Sequence, residues 1–170
     1  MKMKFKIIFI SLAILLITNV ASACSYHMPL GDDAVDWGRG IQWGGNTTYI
    51  SQWNSSVSTW NAMGKVAISK DTWSTIEDLY LVDVNSPGVN IPSGYANSTR
   101  SANGTPYIQL NTALMGTYTS AEKQKCLTHE LGHALGINEI NINGNIMCQG
   151  RSSQTSLGIK DKDVYRCIWG

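Results

Sequence analysis

Near its carboxyl end the chain reads His129-Glu130-Leu131-Gly132-His133-Ala134-Leu135-Gly136. Two histidines four residues apart lie on the same face of a helix, one turn above each other. Their imidazole nitrogens can bind one Zn²⁺ together, and Glu130 between them is placed to take a proton from a water molecule beside the metal. Gly136 is expected to end the helix, because glycine enters the left-handed cap conformation without steric cost.

The helix that carries these histidines has a clear start. Thr119-Ser120-Ala121-Glu122 is a capping box, in which the side chains of Thr119 and Glu122 each satisfy a backbone N–H of the other residue. This signal, together with the glycine stop, predicts a helix over residues 120–135.

The same helix also has an apolar side. Leu127, Leu131 and Leu135 follow at steps of four and lie almost opposite the histidines, so the helix can pack its leucines in the core and turn its histidines to a cleft. Gly132 costs a helix about 1 kcal/mol relative to alanine. A glycine at that position suggests that another segment packs closely against it.

The rest of the chain mixes helix and strand patterns. We expect a first strand within 37–52, a helix over 52–63, strands over 65–69, 78–84 and 106–111, a loop over 85–104, and a closing amphipathic helix over 157–170. The strand over 106–111 begins with a proline, which suits a strand start or a sheet edge. The six tryptophans are expected to serve in core packing rather than in a sugar-binding platform.

A catalytic zinc usually has three protein ligands and one open position. The third ligand should lie just past Gly136, where the chain can turn back under the metal, and the candidates there are Asn138 and Glu139. A carboxylate oxygen binds zinc at about 2.0–2.2 Å, so glutamate is chemically suitable. The alternative is that Glu139 is a solvated loop residue and that a ligand comes from elsewhere. The other candidate ligands in the chain are His27, Cys126, Asp161 and Asp163.

From His129 through Gly136 the chain resembles the metzincin superfamily of zinc endopeptidases, and within it the matrixin-like branch. The metzincin pattern is H-E-x-x-H-x-x-G-x-x-H/D followed by a turn that contains methionine. Glu139 stands where the family has its last His or Asp. Asn145-Ile146-Met147 resembles the methionine turn, which forms a floor beneath the metal, and residues 157–170 resemble the closing helix of matrixins.

This resemblance implies a fold and a reaction. The fold would be α+β and metzincin-like, with a twisted mixed β-sheet, about three α-helices and the zinc site on the central helix. The function would be zinc-dependent hydrolysis of peptide bonds by a secreted endopeptidase. His129, His133 and Glu139 would bind one catalytic Zn²⁺, and Glu130 would be the catalytic base. Ca²⁺ at residues 32–36 is possible, but its three aspartates do not form a calcium-loop signature.

The resemblance also implies where a substrate would lie. An extended peptide would pair with an edge strand over 107–111, and residues 149–152 would shape the pocket for the side chain that follows the cut. Arg151 could favour an acidic or polar group there. The unusual third ligand keeps an alternative open, namely a secreted zinc-containing binding protein with little or no catalytic activity.

The amino terminus is typical of a secretory signal peptide. Three lysines among the first six residues precede an apolar run over 7–17, and Ala21-Ser22-Ala23 provides a cleavage site. The apolar run is shorter than the roughly 20 residues of a membrane span. We therefore expect a signal peptide over 1–23 and one catalytic domain over 24–170, with lipid attachment at Cys24 as a minor alternative.

Removal of the leader changes the net charge from +1 to −2, because three lysines and no acidic residue leave with it. A nearly neutral mature chain gives no reason to expect nucleic acid or membrane binding, and we expect a secreted monomer acting on a peptide or protein. Four cysteines in an oxidising compartment predict two disulfides with three possible pairings. The metzincin resemblance favours Cys24–Cys167 and Cys126–Cys148.

Overall fold

The computed structural model combines strands and helices and describes residues 24–26, 28, 33–87, 94–97 and 104–170. After a short 3-10 turn over Cys24–Tyr26 come β1 (Gly40–Gly45), α1 (Ile50–Asn61), β2 (Ala67–Lys70), β3 (Leu79–Val84), β4 (Gly94–Asn97), β5 (Tyr107–Asn111), α2 (Thr112–Met115), α3 (Ser120–Ala134) and α4 (Ile159–Trp169). None of the helices in these ranges has the length and apolar character needed to cross a membrane.

The five strands form one mixed sheet in the order β2-β1-β3-β5-β4. The first four strands in this order are parallel, and β4 alone runs antiparallel, against β5. The α+β metzincin-like fold class is therefore confirmed, as are the predicted positions of β1, β2, β3, β5, α1, α3 and α4 to within two residues at most boundaries.

The edge of the sheet differs from the prediction. We expected 107–111 to be an edge strand and 85–104 to be loop, but β5 pairs with β3 on one side and with β4 on the other. Both expectations are wrong at this point, because the four residues Gly94–Asn97 form the edge strand. Their composition is typical of a loop, and only pairing with the distant β5 makes them a strand.

Helix α3 packs against the sheet and against α1 as its leucine stripe predicts. Leu127, Leu131 and Leu135 are fully buried. A Cβ atom on Gly132 would clash with Met147 Sδ and would lie 3.1 Å from the Trp60 ring. The expected close packing at Gly132 is therefore confirmed, and it places the methionine directly against α3.

A buried carboxylate connects the methionine turn to α4. Asp161 is fully buried and accepts the backbone N–H groups of Ile146 (2.6 Å), Met147 (3.1 Å) and Gly158 (2.7 Å). Asn145 Oδ1 in turn accepts the N–H of Asp161 at 3.3 Å. The turn and the first residues of α4 thus satisfy one another's backbone donors, which fixes the turn below α3.

Five of the six tryptophans divide into two groups, and the sixth, Trp169, is partly buried against the core. Trp43, Trp53 and Trp60 are buried in the core, as expected. Trp37 and Trp73 are fully exposed, so the prediction of core packing is wrong for these two. They lie in the segments before β1 and after β2, outside the helix–sheet interface that buries the others.

Cys126 and Cys148 are not joined to each other, against our expectation. The two side chains contact different parts of the molecule. Cys126 is buried facing β4, where a Cβ on Gly94 would lie 2.9 Å from its sulfur, whereas Cys148 Sγ lies 3.9 Å from Asn143 Oδ1.

Four predictions concern parts of the chain outside the described residues. These are the leader over 1–23, His27, the side chain of Cys24, and Asp32 of the Ca²⁺ expectation. Helix α4, which carries Cys167, packs against Cys24–Tyr26. Cys24 and Cys167 therefore lie in neighbouring segments, as a disulfide between them requires, and the pairing itself stays a prediction.

Candidate metal centre

Three side chains from α3 and the bend after it meet at one point. His129 Nε2 lies 3.2 Å from His133 Nε2 and 3.2 Å from Glu139 Oε1, and His133 Nε2 lies 3.4 Å from the same oxygen. Among the described residues these three form the only group of His, Cys, Asp or Glu whose donor atoms are close enough to share a metal ion.

The spacing of these donors fits zinc. Nitrogen and oxygen ligands bind Zn²⁺ at about 2.0–2.1 Å with tetrahedral angles, which places neighbouring ligand atoms about 3.3 Å apart. The three observed separations of 3.2, 3.2 and 3.4 Å are the edges of such a tetrahedral face. Its fourth corner is available for a water molecule or a substrate oxygen.

Both imidazoles are oriented by backbone carbonyls. His129 Nδ1 donates to the carbonyl of Ile146 at 2.9 Å, and His133 Nδ1 donates to the carbonyl of Ile137 at 2.8 Å. Because a carbonyl only accepts, each Nδ1 carries the proton and each Nε2 of a neutral ring presents a lone pair. Two lone pairs 3.2 Å apart repel each other unless a cation lies between them. The donor set therefore fits a shared metal ion.

Glu139 has fewer contacts within the protein. Its Oε2 is buried and has no hydrogen-bond partner among the described atoms. Burial raises the pKa of this carboxyl, but hydrogen bonds and charge from the imidazoles of His129 and His133 in their protonated form outweigh burial and hold the pKa well below its usual range. Glu139 is thus an ionised carboxylate beside the imidazoles. Asn138, the other candidate, is exposed, and its Oδ1 accepts the Glu139 N–H at 3.0 Å.

Glu130 lies next to these donors without joining them. Its side chain is buried, and burial raises the pKa of its carboxyl despite the nearby imidazoles. The edge strand passes directly over it, since a Cβ on Gly94 would lie 2.7 Å from both Cγ and Oε1 of Glu130. The requirement for glycine at position 94 was not visible in the sequence, because the contact joins two segments far apart in the chain.

A pocket of about 330 Å³ opens beside the donor cluster. Its lining comes from the start of α3, from β4 and from the segment after the methionine turn. The lining residues are Gly94, Tyr118, Glu122, Lys125, Cys126, His129, Glu130, Glu139, Gln149, Gly150 and Arg151. The sequence pointed to the segment 149–152 but not to Lys125 or Tyr118.

Arg151, for which we expected a preference for acidic or polar groups, has an acidic partner within the chain. Arg151 binds Glu122 through two hydrogen bonds of 2.7 and 2.9 Å, and its guanidinium lies 4.4 Å from the centre of the Tyr118 ring. Hydrogen bonds from Arg151 and from the Thr119 N–H lower the pKa of Glu122 to about 2. Arg151 is therefore already neutralised by a carboxylate of its own chain.

The remaining candidate metal ligands lie away from His129, His133 and Glu139. Asp161 is occupied by the methionine turn, and Asp163 pairs with Arg166 at 3.6 Å on the surface of α4. Asp33 and Asp36 accept backbone N–H groups in their own turn, and nothing in the described part of the chain adds a third carboxylate to them.

The sequence model of the family Peptidase M43, pregnancy-associated plasma protein-A, matches residues 63–167. The chain belongs to the peptidase M43 family. This family is of the metzincin class of zinc peptidases, so the metzincin part of the predicted resemblance is confirmed, and the matched range contains all three donors and Glu130. The matrixin-like branch is not the one that matches. A search of curated proteins finds no match to the chain.

Proposed function

We propose that this M43 chain is a secreted zinc endopeptidase in which His129, His133 and Glu139 bind the metal. The observation that carries the proposal is the set of three donors 3.2–3.4 Å apart with a buried, non-ligating carboxylate beside them. A bound Zn²⁺ would supply a Lewis acid that acidifies a water molecule and polarises the scissile carbonyl.

Glu130 is the residue we assign to proton transfer. Its carboxylate takes a proton from the attacking water and passes it to the nitrogen of the leaving amine. A base works best with a pKa near the working pH, and burial moves the pKa of Glu130 in that direction. A cation at the neighbouring donors would act in the opposite direction and favour the ionised form of the carboxylate.

The edge strand β4 is where we expect the substrate backbone. One side of β4 pairs with β5, and no other described strand pairs with its outer side. An extended peptide can add to such an edge through backbone hydrogen bonds. The position of Gly94 against Glu130 would bring the peptide past the catalytic carboxylate, and the adjacent pocket would take the side chain that follows the cut.

Export and a monomeric state are also parts of the proposal. The leader pattern over 1–23 supports secretion, and the contact of α4 with Cys24–Tyr26 supports a Cys24–Cys167 disulfide in the mature protein. The competing function is that of a zinc-containing binding protein without turnover. Its support is Glu139, which stands where metzincins have His or Asp.

The test replaces Glu130 by glutamine, which keeps the size of the side chain and removes its basicity. We expect the variant to bind one zinc per chain as the wild type does and to lose about 10²- to 10⁴-fold in kcat/KM on a peptide library. Glu77→Gln, in the loop before β3, is the control and should cleave normally.

Two outcomes would count against the assignment. Unchanged cleavage by Glu130→Gln would remove Glu130 as the base. Wild-type protein that holds zinc but shows no chelator-sensitive cleavage of any peptide would favour the binding-protein alternative.

A further inference from the structure

Lys125 is a buried lysine on α3, one turn before His129. Its Nζ donates to the carbonyl of Cys148 at 2.7 Å and to that of Gly150 at 3.0 Å. An ammonium group has three protons, and no atom of the described residues accepts the third. Lys125 also lines the pocket beside the metal centre, so a ligand in the pocket can meet this group.

The charges around the pocket leave Lys125 without a counter-charge. Arg151 and Glu122 neutralise each other through their paired hydrogen bonds. A divalent cation at the metal centre would be balanced by the carboxylates of Glu139 and Glu130. Of the described residues that line the pocket, Lys125 then carries the one charge that no partner balances.

A buried ammonium held only by carbonyls is costly, because burial removes water and no carboxylate replaces it. Burial lowers the pKa of Lys125, although nearby anionic groups oppose this. The two carbonyls fix the ammonium in place, so a carboxylate entering the pocket would find a donor already positioned. The pocket volume of about 330 Å³ is sufficient for an Asp or Glu side chain.

We propose that Lys125 makes the pocket select substrates with an acidic side chain, Asp or Glu, at the residue that follows the cut bond. This inference rests on the proposed peptidase function, and it gives to Lys125 the selectivity that the sequence suggested for Arg151. The group recognised is a carboxylate, which a peptide can offer as a side chain or as its C-terminus.

The experiment uses zinc-loaded wild-type protein and peptides that differ only after the cut site, with Glu, Gln or Lys there. Each peptide is made with a free and with an amidated C-terminus, which separates the two sources of carboxylate. We expect kcat/KM for the Glu peptide to exceed that for the Gln peptide by about tenfold or more, as for hydrogen bonds to charged groups, with the amidated forms behaving alike.

Lys125→Met then removes the charge at similar length, and Lys125→Arg keeps it. The Glu-to-Gln ratio should fall to about one in the first variant and recover at least partly in the second. Lys123→Met, on the same helix but outside the pocket lining, should leave the ratio unchanged.

Binding provides a readout without turnover. Zinc-loaded Glu130→Gln should bind the amidated Glu peptide about tenfold more tightly than the Gln peptide in calorimetry. Equal wild-type rates for the Glu and Gln peptides, a preference for Lys, or a ratio that survives Lys125→Met would overturn the inference. Failure to cleave every peptide would instead count against the proposed function, while the calorimetric ratio would still decide the role of Lys125.

Discussion

The two parts of the candidate metal centre are held in different ways. On α3, each histidine is fixed by a hydrogen bond from its Nδ1 to a backbone carbonyl, that of Ile146 or Ile137. In the bend after the helix, the carboxylate of Glu139 has hydrogen-bond contacts, among the described residues, only with those imidazoles, and its second oxygen is buried with no described partner. The two histidines on α3 are therefore preorganised by the fold, whereas the carboxylate of Glu139 depends on the metal for a partner.

The difference explains how a glutamate can serve at this position. A metal-binding side chain that is hydrogen-bonded to a backbone carbonyl cannot be replaced by a longer or shorter one unless that carbonyl also moves. Glu139 has no such constraint on its carboxylate, so the longer side chain can adjust within the bend. The general lesson is that the donors on the helix define the centre and the donor in the bend completes it.

Removal of a donor from each part gives the largest expected effect. His129→Ala and Glu139→Ala should both weaken zinc binding by more than the roughly 10- to 100-fold typical of outer-shell substitutions. Without metal the two variants should differ. His129→Ala should lower stability by about 1 kcal/mol through loss of the bond to Ile146, while Glu139→Ala should not lower it.

The measurement is zinc titration together with thermal unfolding in the presence of a chelator. If the two variants are destabilised equally without metal, the histidines are not held by the fold more firmly than Glu139 is. Unchanged zinc binding by Glu139→Ala would exclude Glu139 from the ligand set.

The next prediction concerns the support beneath His129. Asp161→Asn replaces an acceptor of three backbone N–H groups with an amide that can repel them, so we expect a loss of about 2–4 kcal/mol in the free energy of unfolding. Because Ile146 also orients His129, zinc affinity should fall by about 10- to 100-fold.

Asp163→Asn is the matched control for this variant. It lies on the same helix but pairs with Arg166 at the surface, so its effect should stay within about 0.5 kcal/mol. Denaturant unfolding of both variants gives the comparison. If Asp161→Asn loses stability but keeps full zinc affinity, the methionine turn does not orient His129.

The smallest expected effect is at the rim of the pocket, where Glu122 joins α3 to Arg151. Hydrogen bonds from Arg151 and from the Thr119 N–H lower the pKa of Glu122 from 4.5 to about 2 in the folded protein. The stability that this lowered pKa contributes is fully present above pH 4.5 and is lost as the pH falls through about 2.

Glu122→Gln should therefore be slightly less stable than the wild type at neutral pH, and the difference should shrink as the pH falls from 4.5 towards 2. Urea unfolding of both proteins across this range, with chelator present, measures it. A difference that stays constant with pH would show that Glu122 acts through its shape rather than its charge.

The sequence predicted those parts of the site that depend on local signals. Helix α3 follows from the capping box at Thr119 and Glu122 and from Gly136, whose φ of 79° is the left-handed cap conformation expected there. The pairing of His129 with His133 follows from helix periodicity, and the choice of Glu139 over Asn138 follows from the resemblance to the metzincin pattern.

The features that the sequence did not reveal depend on contacts between distant segments. Strand β4 exists through its pairing with β5, and Gly94 is required by Glu130, some thirty-six positions away. In the sequence, Lys125 is indistinguishable from a solvent-exposed lysine on a helix. Its hydrogen bonds go to the carbonyls of Cys148 and Gly150, in a segment more than twenty positions away. The buried role of Asp161 was not visible in the sequence for the same reason. The N–H groups of Ile146 and Met147 that it accepts belong to a turn fifteen and fourteen positions earlier.

X-ray absorption spectroscopy of the purified, zinc-loaded protein tests the metal centre most directly. We predict one zinc per chain, with a first shell of nitrogen and oxygen at about 2.0–2.1 Å, a multiple-scattering signal from two imidazoles, and no sulfur. A sulfur shell at about 2.3 Å would instead place a cysteine such as Cys126 on the metal. Protein that binds no zinc at all would contradict the account.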